Sequence, residues 1–128
     1  IRMRLVGSEM CIRDRAMTEL DKRKCVPCEG GLDALTKEKA QSYLKKLDKE
    51  WILNEDGKSI ERTYSRKNHY ELSSLINLII AISHSEDHHP EITFGYNTAR
   101  VKYFTYAIDG LSENDFICAA KIDKVLAI

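Results

Sequence analysis

The sequence predicts an α+β fold in which a four-stranded antiparallel sheet packs against helices on one of its faces. Three observations predict it: helical periodicity in three segments, two pairs of short alternating segments, and turn residues that join each pair into a hairpin. Because hairpins rather than crossovers link the strands, we expect an antiparallel sheet with the helices segregated on one side. The expected element order is α-β-β-α-β-β-α.

The first half of the domain contains one helix and one hairpin. Residues 36–47 carry apolar side chains at positions i, i+3, i+4 and i+7, which is typical of an amphipathic helix, and Thr36 is suited to cap it. Residues 51–53 and 59–65 then read as two short strands. The Asp-Gly dipeptide between them favours a tight turn, so the two strands are expected to form a hairpin.

The second helix is predicted over residues 70–85 and is apolar around more than one face. One stripe of it faces the core, and further apolar residues lie outside that stripe at Leu78, Ile80 and Ile82. A helix with so much apolar surface is either buried on two sides or meets a partner chain. The pattern therefore predicts a homodimer or a homotetramer.

The second hairpin and the last helix complete the domain. Residues 92–96 and 98–107 alternate as strands do, with a turn at residues 96–97. Residues 109–110, Asp-Gly, are expected to close this hairpin. The last helix begins at Ser112, where Ser-Glu-Asn-Asp approximates a capping box with aspartate in place of the usual glutamate.

Charge and hydropathy exclude several classes of function. Lys and Arg together number 20, as do Asp and Glu, so the formal net charge at pH 7 is zero. Proteins that bind nucleic acid or anionic membranes generally carry a basic excess, so we expect neither partner. No apolar run approaches the roughly 18 residues that cross a bilayer. Without a signal peptide, the protein is expected in the cytoplasm.

Residues 1–16 fit none of these patterns. They have neither the apolar centre of a signal peptide nor a sustained period. Met17, followed by Thr-Glu-Leu, reads as a natural start. We therefore expect residues 1–16 to be an extraneous or disordered leader and residues 17–128 to form a single domain.

The chain contains four cysteines, of which only Cys25 and Cys28 have a suggestive spacing. A structural zinc site needs four ligands, and the sequence offers no second pair with the appropriate spacing. A redox Cys-x-x-Cys would sit where a strand meets a helix, whereas this one precedes the first predicted helix. We expect both cysteines to be reduced thiols without a catalytic role.

The stretch SEDHHPE, residues 85–91, places His88 and His89 at the exit of the second helix. Pro90 stops the helix and favours an extended backbone before it. Adjacent side chains of an extended segment point to opposite faces, so we predict no metal site at this pair. Two interpretations stay open: solvated polar residues at an exposed helix end, or an acid/base pair whose pKa is tuned by neighbouring carboxylates.

Several motifs in the chain resemble those of a known family, and this resemblance favours the acid/base interpretation. E-D-H-H-P-E, followed by G-Y-N and by G-L-S-E-N-D-F-I-C-A-A-K-I-D, resembles the pterin-4a-carbinolamine dehydratases, and K-C-V-P-C-E-G-G with Trp51 resembles their bacterial members. The resemblance implies the fold predicted above and an enzyme without a cofactor. Its substrate would be 4a-hydroxytetrahydropterin, the product left by pterin-dependent aromatic amino-acid hydroxylases. Loss of water from it gives quinonoid dihydropterin.

The resemblance also implies a pocket for the pterin. It assigns acid/base catalysis to His88 and His89, and it places Asp87 beside them as a binding residue. A facing strand would supply a three-residue edge, which in this chain is Phe104, Thr105 and Tyr106. Family members usually end this edge with a third histidine. Tyr106 can donate a hydrogen bond or act as an acid, but its ordinary pKa of about 10 makes it a poor base.

Two more positions depart from the family pattern. His84 stands where many members have glutamate, and Ile92 stands where many have an aromatic residue. Some members of the family act as dimerisation partners for transcription factors. The competing hypothesis is therefore a non-catalytic module with the same fold that binds pterin or acts in dimerisation as a transcriptional coactivator.

Overall fold

The computed structural model describes residues 20–25 and 33–127, and within them the elements follow the predicted order. The helices are α1 (Lys37–Leu44), α2 (His69–Ser85) and α3 (Glu113–Leu126). The strands are β1 (Ile52–Leu53), β2 (Ile60–Ser65), β3 (Glu91–Phe94) and β4 (Thr98–Tyr103). Leu20 and Asp21 are also helical. The predicted α+β fold is confirmed, while the predicted leader, residues 1–16, lies outside the described residues.

The four strands form one antiparallel sheet in the order β1-β2-β4-β3. β2 pairs with β4 from Ile60 opposite Tyr103 to Ser65 opposite Thr98. β3 pairs with the other edge of β4 and ends where Gly95 donates its N–H to the carbonyl of Thr98. β4 is therefore an inner strand, and the chain that follows Tyr103 leaves from the middle of the sheet.

The core lies between one face of the sheet and the helices. Alternate residues of the two inner strands are buried on this face, namely Ile60, Tyr64, Ala99, Val101 and Tyr103. They pack with apolar residues of α2 and α3. Nine of the 14 residues of α3 are buried, so its polar side chains must find partners inside the protein. Within the described residues, no helix is long and apolar enough to cross a bilayer.

Asp123 fixes the second half of α3 to the rest of the domain. Its carboxylate accepts hydrogen bonds from the indole Nε1 of Trp51 at 2.9 Å, the backbone N–H of Asp48 at 2.8 Å and the guanidinium of Arg62 at 3.0 Å. Burial raises the pKa of Asp123 above its ordinary value, although these donors oppose the shift. The carboxylate thus anchors the second half of α3 to β2 and to the residues that precede β1.

Two of the helices begin at N-cap residues whose side chains accept hydrogen bonds from backbone N–H groups. Thr36 caps α1 as predicted, accepting from the N–H of Lys39. Asn68 caps α2 by accepting from the N–H of Glu71. The predicted start of α2 was one residue late because the cap at Asn68 lies outside the apolar periodicity that marks the helix.

The fourth strand is shorter than predicted. It ends at Tyr103, because Ile60, opposite Tyr103, is the first residue of β2, and no strand of the described residues pairs with the chain beyond this point. The chain then forms a bridge between Thr105 and Gly110 that encloses a short 3-10 helix, Tyr106–Ile108. The prediction of a strand up to residue 107 was wrong, since alternation of side chains does not reveal where the partner ends. Residues 109–110 close this loop rather than the hairpin.

Candidate active site

The end of α2 determines where the histidine pair leaves the helix. Asp87 has a left-handed backbone, with φ of 53°. Its N–H donates to the carbonyl of His84 at 3.0 Å, and the N–H of His88 donates to the carbonyl of Ser83 at 3.0 Å. These two bonds form a Schellman motif, whose left-handed position is usually glycine but also accepts aspartate or asparagine. The motif stops the helix and fixes the backbone at His88.

His88 is turned into the protein. Its Nε2 lies 2.6 Å from Oδ1 of Asp115, and the two side chains are 13% and 0% exposed. The imidazole also stacks on the ring of Tyr103, with centroids 6.0 Å apart and an interplanar angle of 11°. The interpretation of the pair as solvated residues at an exposed helix end is therefore wrong for His88. Because a carboxylate only accepts hydrogen bonds, Nε2 carries a proton and Nδ1 is the nitrogen that can exchange one.

Asp115 serves three donors with its two oxygens. Besides His88, it accepts hydrogen bonds through Oδ2 from the hydroxyl of Thr105 at 2.8 Å and from the N–H of Ser112 at 2.9 Å. The bond from Ser112 belongs to the capping box that opens α3. The predicted capping residue is therefore also the partner of His88, a role that the sequence analysis missed. The only signal was the aspartate in place of the usual glutamate.

His89 is exposed, in contrast to its neighbour. Its ring lies 5.8 Å from the ring of His84, centroid to centroid, with an interplanar angle of 48°. The two adjacent histidines thus stand in different surroundings, one held by a buried carboxylate and the other open to solvent. Among the described residues, no group of three histidine, cysteine or acidic side chains is placed to hold a metal ion.

A cleft of about 500 Å³ lies between the connection from α2 to β3 and the loop that follows β4. The residues that the sequence analysis assigned to the pocket all line it, namely Asp87, His88, His89, Phe104, Thr105 and Tyr106. Four residues that had not been placed in the site also line it, namely Cys25, Glu86, Ala107 and Asn114. A cleft of this volume is suited to a small organic molecule.

Phe104 and Tyr106 form an aromatic wall of the cleft. Their rings meet edge to face, with centroids 5.4 Å apart and an interplanar angle of 71°. Tyr106 is 87% exposed, because the 3-10 helix carries it away from the sheet. An exposed ring of this kind offers a face against which a flat heterocycle can pack. Thr105, between them, is buried and directs its hydroxyl to Asp115 rather than to the cleft.

Glu86 fixes the N-terminal segment beside the cleft. Its carboxylate accepts the N–H of Cys25 at 2.8 Å and lies 3.5 Å from Nζ of Lys121. Burial alone would raise the pKa of Glu86, but the bond from Cys25 and the charge of Lys121 outweigh it and lower the pKa from its ordinary value. Glu86 is therefore ionised at neutral pH, and it is poorly suited to deliver a proton.

Comparisons with known proteins agree on one family. The family model described as pterin 4 alpha carbinolamine dehydratase matches residues 33–125, a range that includes every residue lining the cleft except Cys25. A relative from Nitrosomonas eutropha is 52% identical over 108 residues, which cover 84% of this chain and 94% of that protein. One from Nitrosospira multiformis is 47% identical over 115 residues, which cover 90% and 99%. Both are provisionally named pterin-4-alpha-carbinolamine dehydratases.

A solved structure shares the fold. The crystal structure of a transcriptional coactivator/pterin dehydratase from Brucella melitensis matches with a TM-score of 0.67 at 25% identity. The match covers 73% of this chain and 98% of that one.

Proposed function

Because the chain belongs to the family of pterin-4-alpha-carbinolamine dehydratases, which are hydro-lyases, we propose that it dehydrates 4a-hydroxytetrahydropterin. The product is quinonoid dihydropterin, so the reaction recycles the cofactor of aromatic amino-acid hydroxylases in the cytoplasm. The observation that carries the proposal is one cleft lined by His88, His89 and Tyr106. The chemistry needs only that one proton reach the departing 4a-hydroxyl and one leave N5, and it requires no cofactor.

His88 is the base in this scheme. Its Nε2–H is held by Asp115 at 2.6 Å, so Nδ1 is the ring nitrogen left to accept a proton. When Nδ1 takes the proton from N5, the buried carboxylate stabilises the imidazolium that forms, as in other carboxylate–histidine pairs. Asp115 does not line the cleft, and it acts through His88 as a positioning residue.

His89 is the acid that delivers a proton to the 4a-hydroxyl. It lines the same cleft but is exposed to solvent, from which it can be reprotonated after each turnover. The division of labour follows from the surroundings: one histidine has a fixed tautomer and a charged partner, and its neighbour exchanges protons with water.

Asp87 and the aromatic wall bind the pterin. The pyrimidine edge of a pterin carries N–H donors, and the exposed carboxylate of Asp87 at the rim of the cleft can accept them. The rings of Phe104 and Tyr106 can pack against the heterocycle. Thr105 supports this wall from behind through its bonds to Ser112 and Asp115.

An assay of the coupled reaction tests the proposed activity. Purified protein should accelerate the decay of the 4a-carbinolamine that a phenylalanine hydroxylase generates, and the His88→Gln variant serves as control. A decay equal to the uncatalysed rate at micromolar protein would contradict the proposal. The competing hypothesis, a pterin-binding or dimerisation module, is favoured by Tyr106 in the position of a usual histidine. It would instead give a bound pterin without turnover, or a stable protein partner.

Tyr106 is the residue at which the chain and the family differ, so we expect its variants to change the rate. Tyr106→Phe should lower turnover about tenfold, which corresponds to one hydrogen bond of a neutral hydroxyl. Tyr106→His should raise turnover by restoring the usual arrangement. The side chain is 87% exposed, so both variants should unfold at the temperature of the parent protein. A loss of several orders of magnitude for Tyr106→Phe would make the tyrosine, rather than His89, the principal proton donor.

The outer surface of α2 supports the proposal of a homodimer or a homotetramer. Ile80 is 47% exposed, and Leu78 and Ile82 beside it are only partly buried. Covering such a surface with a second copy removes it from water. Light scattering should therefore give a mass at least twice the 14.7 kDa of one chain, and Ile80→Glu should reduce it. A monomer at micromolar concentration would contradict this assembly.

A further inference from the structure

Two thiols that the proposed reaction does not use lie beside the cleft. Sγ of Cys25 is 3.8 Å from Sγ of Cys118, although the two residues are 93 positions apart, and both are free. Cys118 is completely buried on α3, whereas Cys25 is partly buried and lines the cleft. A small reagent that enters the cleft can therefore reach one sulfur directly and the other only through the first.

Each thiol contacts a part of the site. Cys118 directs its Sγ towards the backbone carbonyl of His88, at 3.8 Å. Sγ of Cys25 lies 3.7 Å from the carbonyl of Asn114, and the N–H of Cys25 holds Glu86. A movement of either sulfur thus changes contacts that fix the histidine backbone or the cleft wall.

We propose that Cys25 and Cys118 form a reversible disulfide that places the cleft under redox control. With a peroxide as oxidant, the Cys25 sulfur attacks one peroxide oxygen, the O–O bond breaks, and the first water leaves to give a sulfenic acid. The Cys118 sulfur then attacks the sulfenic sulfur and releases the second water. Overall the two thiols lose two electrons and two protons, and hydrogen peroxide is reduced to two molecules of water.

The order of the two steps follows from the surroundings of each thiol. The hydrogen bond with Cys25, together with burial, raises the pKa of Cys118 well above its ordinary value, so Cys118 is a poor first nucleophile. Of the two cysteines, Cys25 lines the cleft and Cys118 does not. Once Cys25 is a sulfenic acid, Cys118 needs no access to solvent, because its target is the sulfur already beside it.

The disulfide needs a small movement on one side. An S–S bond is about 2 Å long, so the sulfurs must approach by about 1.8 Å from their present 3.8 Å. Cys118 is fixed within α3, whereas Cys25 lies outside regular secondary structure and can move. That movement strains the bond from Cys25 to Glu86, and oxidation removes the hydrogen that Cys118 directs to His88. The oxidised protein therefore has a displaced wall and a less firmly held histidine.

Disulfide mapping of the full chain tests the pairing without any activity assay. The protein is equilibrated in glutathione buffers, where glutathione disulfide accepts the same two electrons, and is then alkylated, digested and analysed by mass spectrometry. We expect a Cys25–Cys118 peptide that appears with oxidised glutathione and is lost with dithiothreitol. It should persist in Cys28→Ser and be absent from Cys25→Ser. Thiols reduced at every ratio, or Cys25 linked to Cys28 instead, would overturn the proposal.

The thermal stability of the same samples provides a second readout. A bond between residues 93 positions apart restricts the unfolded chain strongly, so oxidation should raise the unfolding temperature by roughly 10 °C. Cys25→Ser should unfold at the same temperature in oxidising and reducing buffer. If a sample that carries the disulfide unfolded at an unchanged temperature, the disulfide would have to strain the native structure. That result would contradict the small movement of Cys25 that the proposal requires.

The effect on the cleft rests on the proposed function and is measured separately. Oxidised protein should turn over the carbinolamine roughly tenfold more slowly than reduced protein, since small displacements of catalytic groups are costly. In Cys25→Ser the rate should not respond to the oxidant. Equal rates in both forms of the parent protein would overturn the redox control. Absence of turnover in both forms would contradict the proposed function, while the mapped disulfide would still stand.

Discussion

We expect His88→Gln to lower turnover by about 10²–10⁴-fold, the range found when an acid/base group is lost. Glutamine can place its amide Nε2–H near the position of the imidazole Nε2–H and still donate to Asp115, but it cannot take up a proton. The variant should therefore retain most of the stability of the parent protein. Turnover in the carbinolamine assay and the free energy of unfolding in denaturant are measured on the same preparations.

His88→Ala provides the comparison for stability. It removes the donor 2.6 Å from Oδ1 of Asp115 and leaves one oxygen of a fully buried carboxylate without its partner. We expect a loss of about 1–3 kcal/mol in the free energy of unfolding, in addition to the loss of turnover. A stability equal to that of the parent protein would show that the hydrogen bond between His88 and Asp115 contributes little to the fold.

At the neighbouring His89, an alanine substitution should affect turnover without affecting stability. Because this side chain is exposed, the variant should lose turnover by about 10²–10⁴-fold with almost no change in stability. If both His88→Gln and His89→Ala retained the turnover of the parent protein, the proton transfers would have to take place elsewhere.

The fold could be predicted because each helix, strand and turn has a pattern within its own short stretch of sequence. The periods of the helices and the turn between residues 53 and 59 need no knowledge of distant residues. The end of β4 could not be predicted, since it depends on where β2 begins, more than forty positions earlier. The same limit explains Tyr106, which an alternating pattern assigned to a strand and the structure places in a 3-10 helix.

Six of the ten residues that line the cleft had been assigned to a pocket, and that assignment came from a resemblance rather than from physical reasoning on the sequence. That reasoning alone left His88 and His89 as either solvated residues or an acid/base pair. The contact that distinguishes the two histidines joins positions 27 apart in sequence and exists only because α3 is buried beside the end of α2. The contact between Cys25 and Cys118 likewise depends on tertiary packing. In the sequence only Cys25 and Cys28 have a suggestive spacing, and both were expected to be reduced thiols without a catalytic role.

Replacing Asp115 by asparagine should lower turnover by about 10²–10⁴-fold although Asp115 does not line the cleft. Three donors converge on this carboxylate: Nε2–H of His88, the hydroxyl of Thr105 and the N–H of Ser112. Asparagine has one acceptor oxygen and an NH₂ group that is itself a donor. If the oxygen serves Thr105 and Ser112, the NH₂ group faces His88, which must then shift its proton from Nε2 to Nδ1. The nitrogen that should accept the substrate proton is then blocked.

The kinetic signature follows from the position of Asp115. Because the residue acts through His88 and makes no contact with the cleft, kcat should fall while KM changes little. The hydrogen bonds lost from a buried group should also lower the free energy of unfolding by about 1–3 kcal/mol. Measurements of kcat, KM and denaturant unfolding on one preparation separate these effects.

Asp123→Asn is the matched control for Asp115→Asn. Asp123 is the other buried aspartate of α3, and it also serves three donors, but these hold Trp51, Asp48 and Arg62 rather than a residue of the cleft. We therefore expect Asp123→Asn to lose stability to a similar extent while its folded fraction keeps the kcat of the parent protein. If the two variants lost turnover equally, the effect at Asp115 would be one of stability alone, and the carboxylate could not be credited with holding the tautomer of His88.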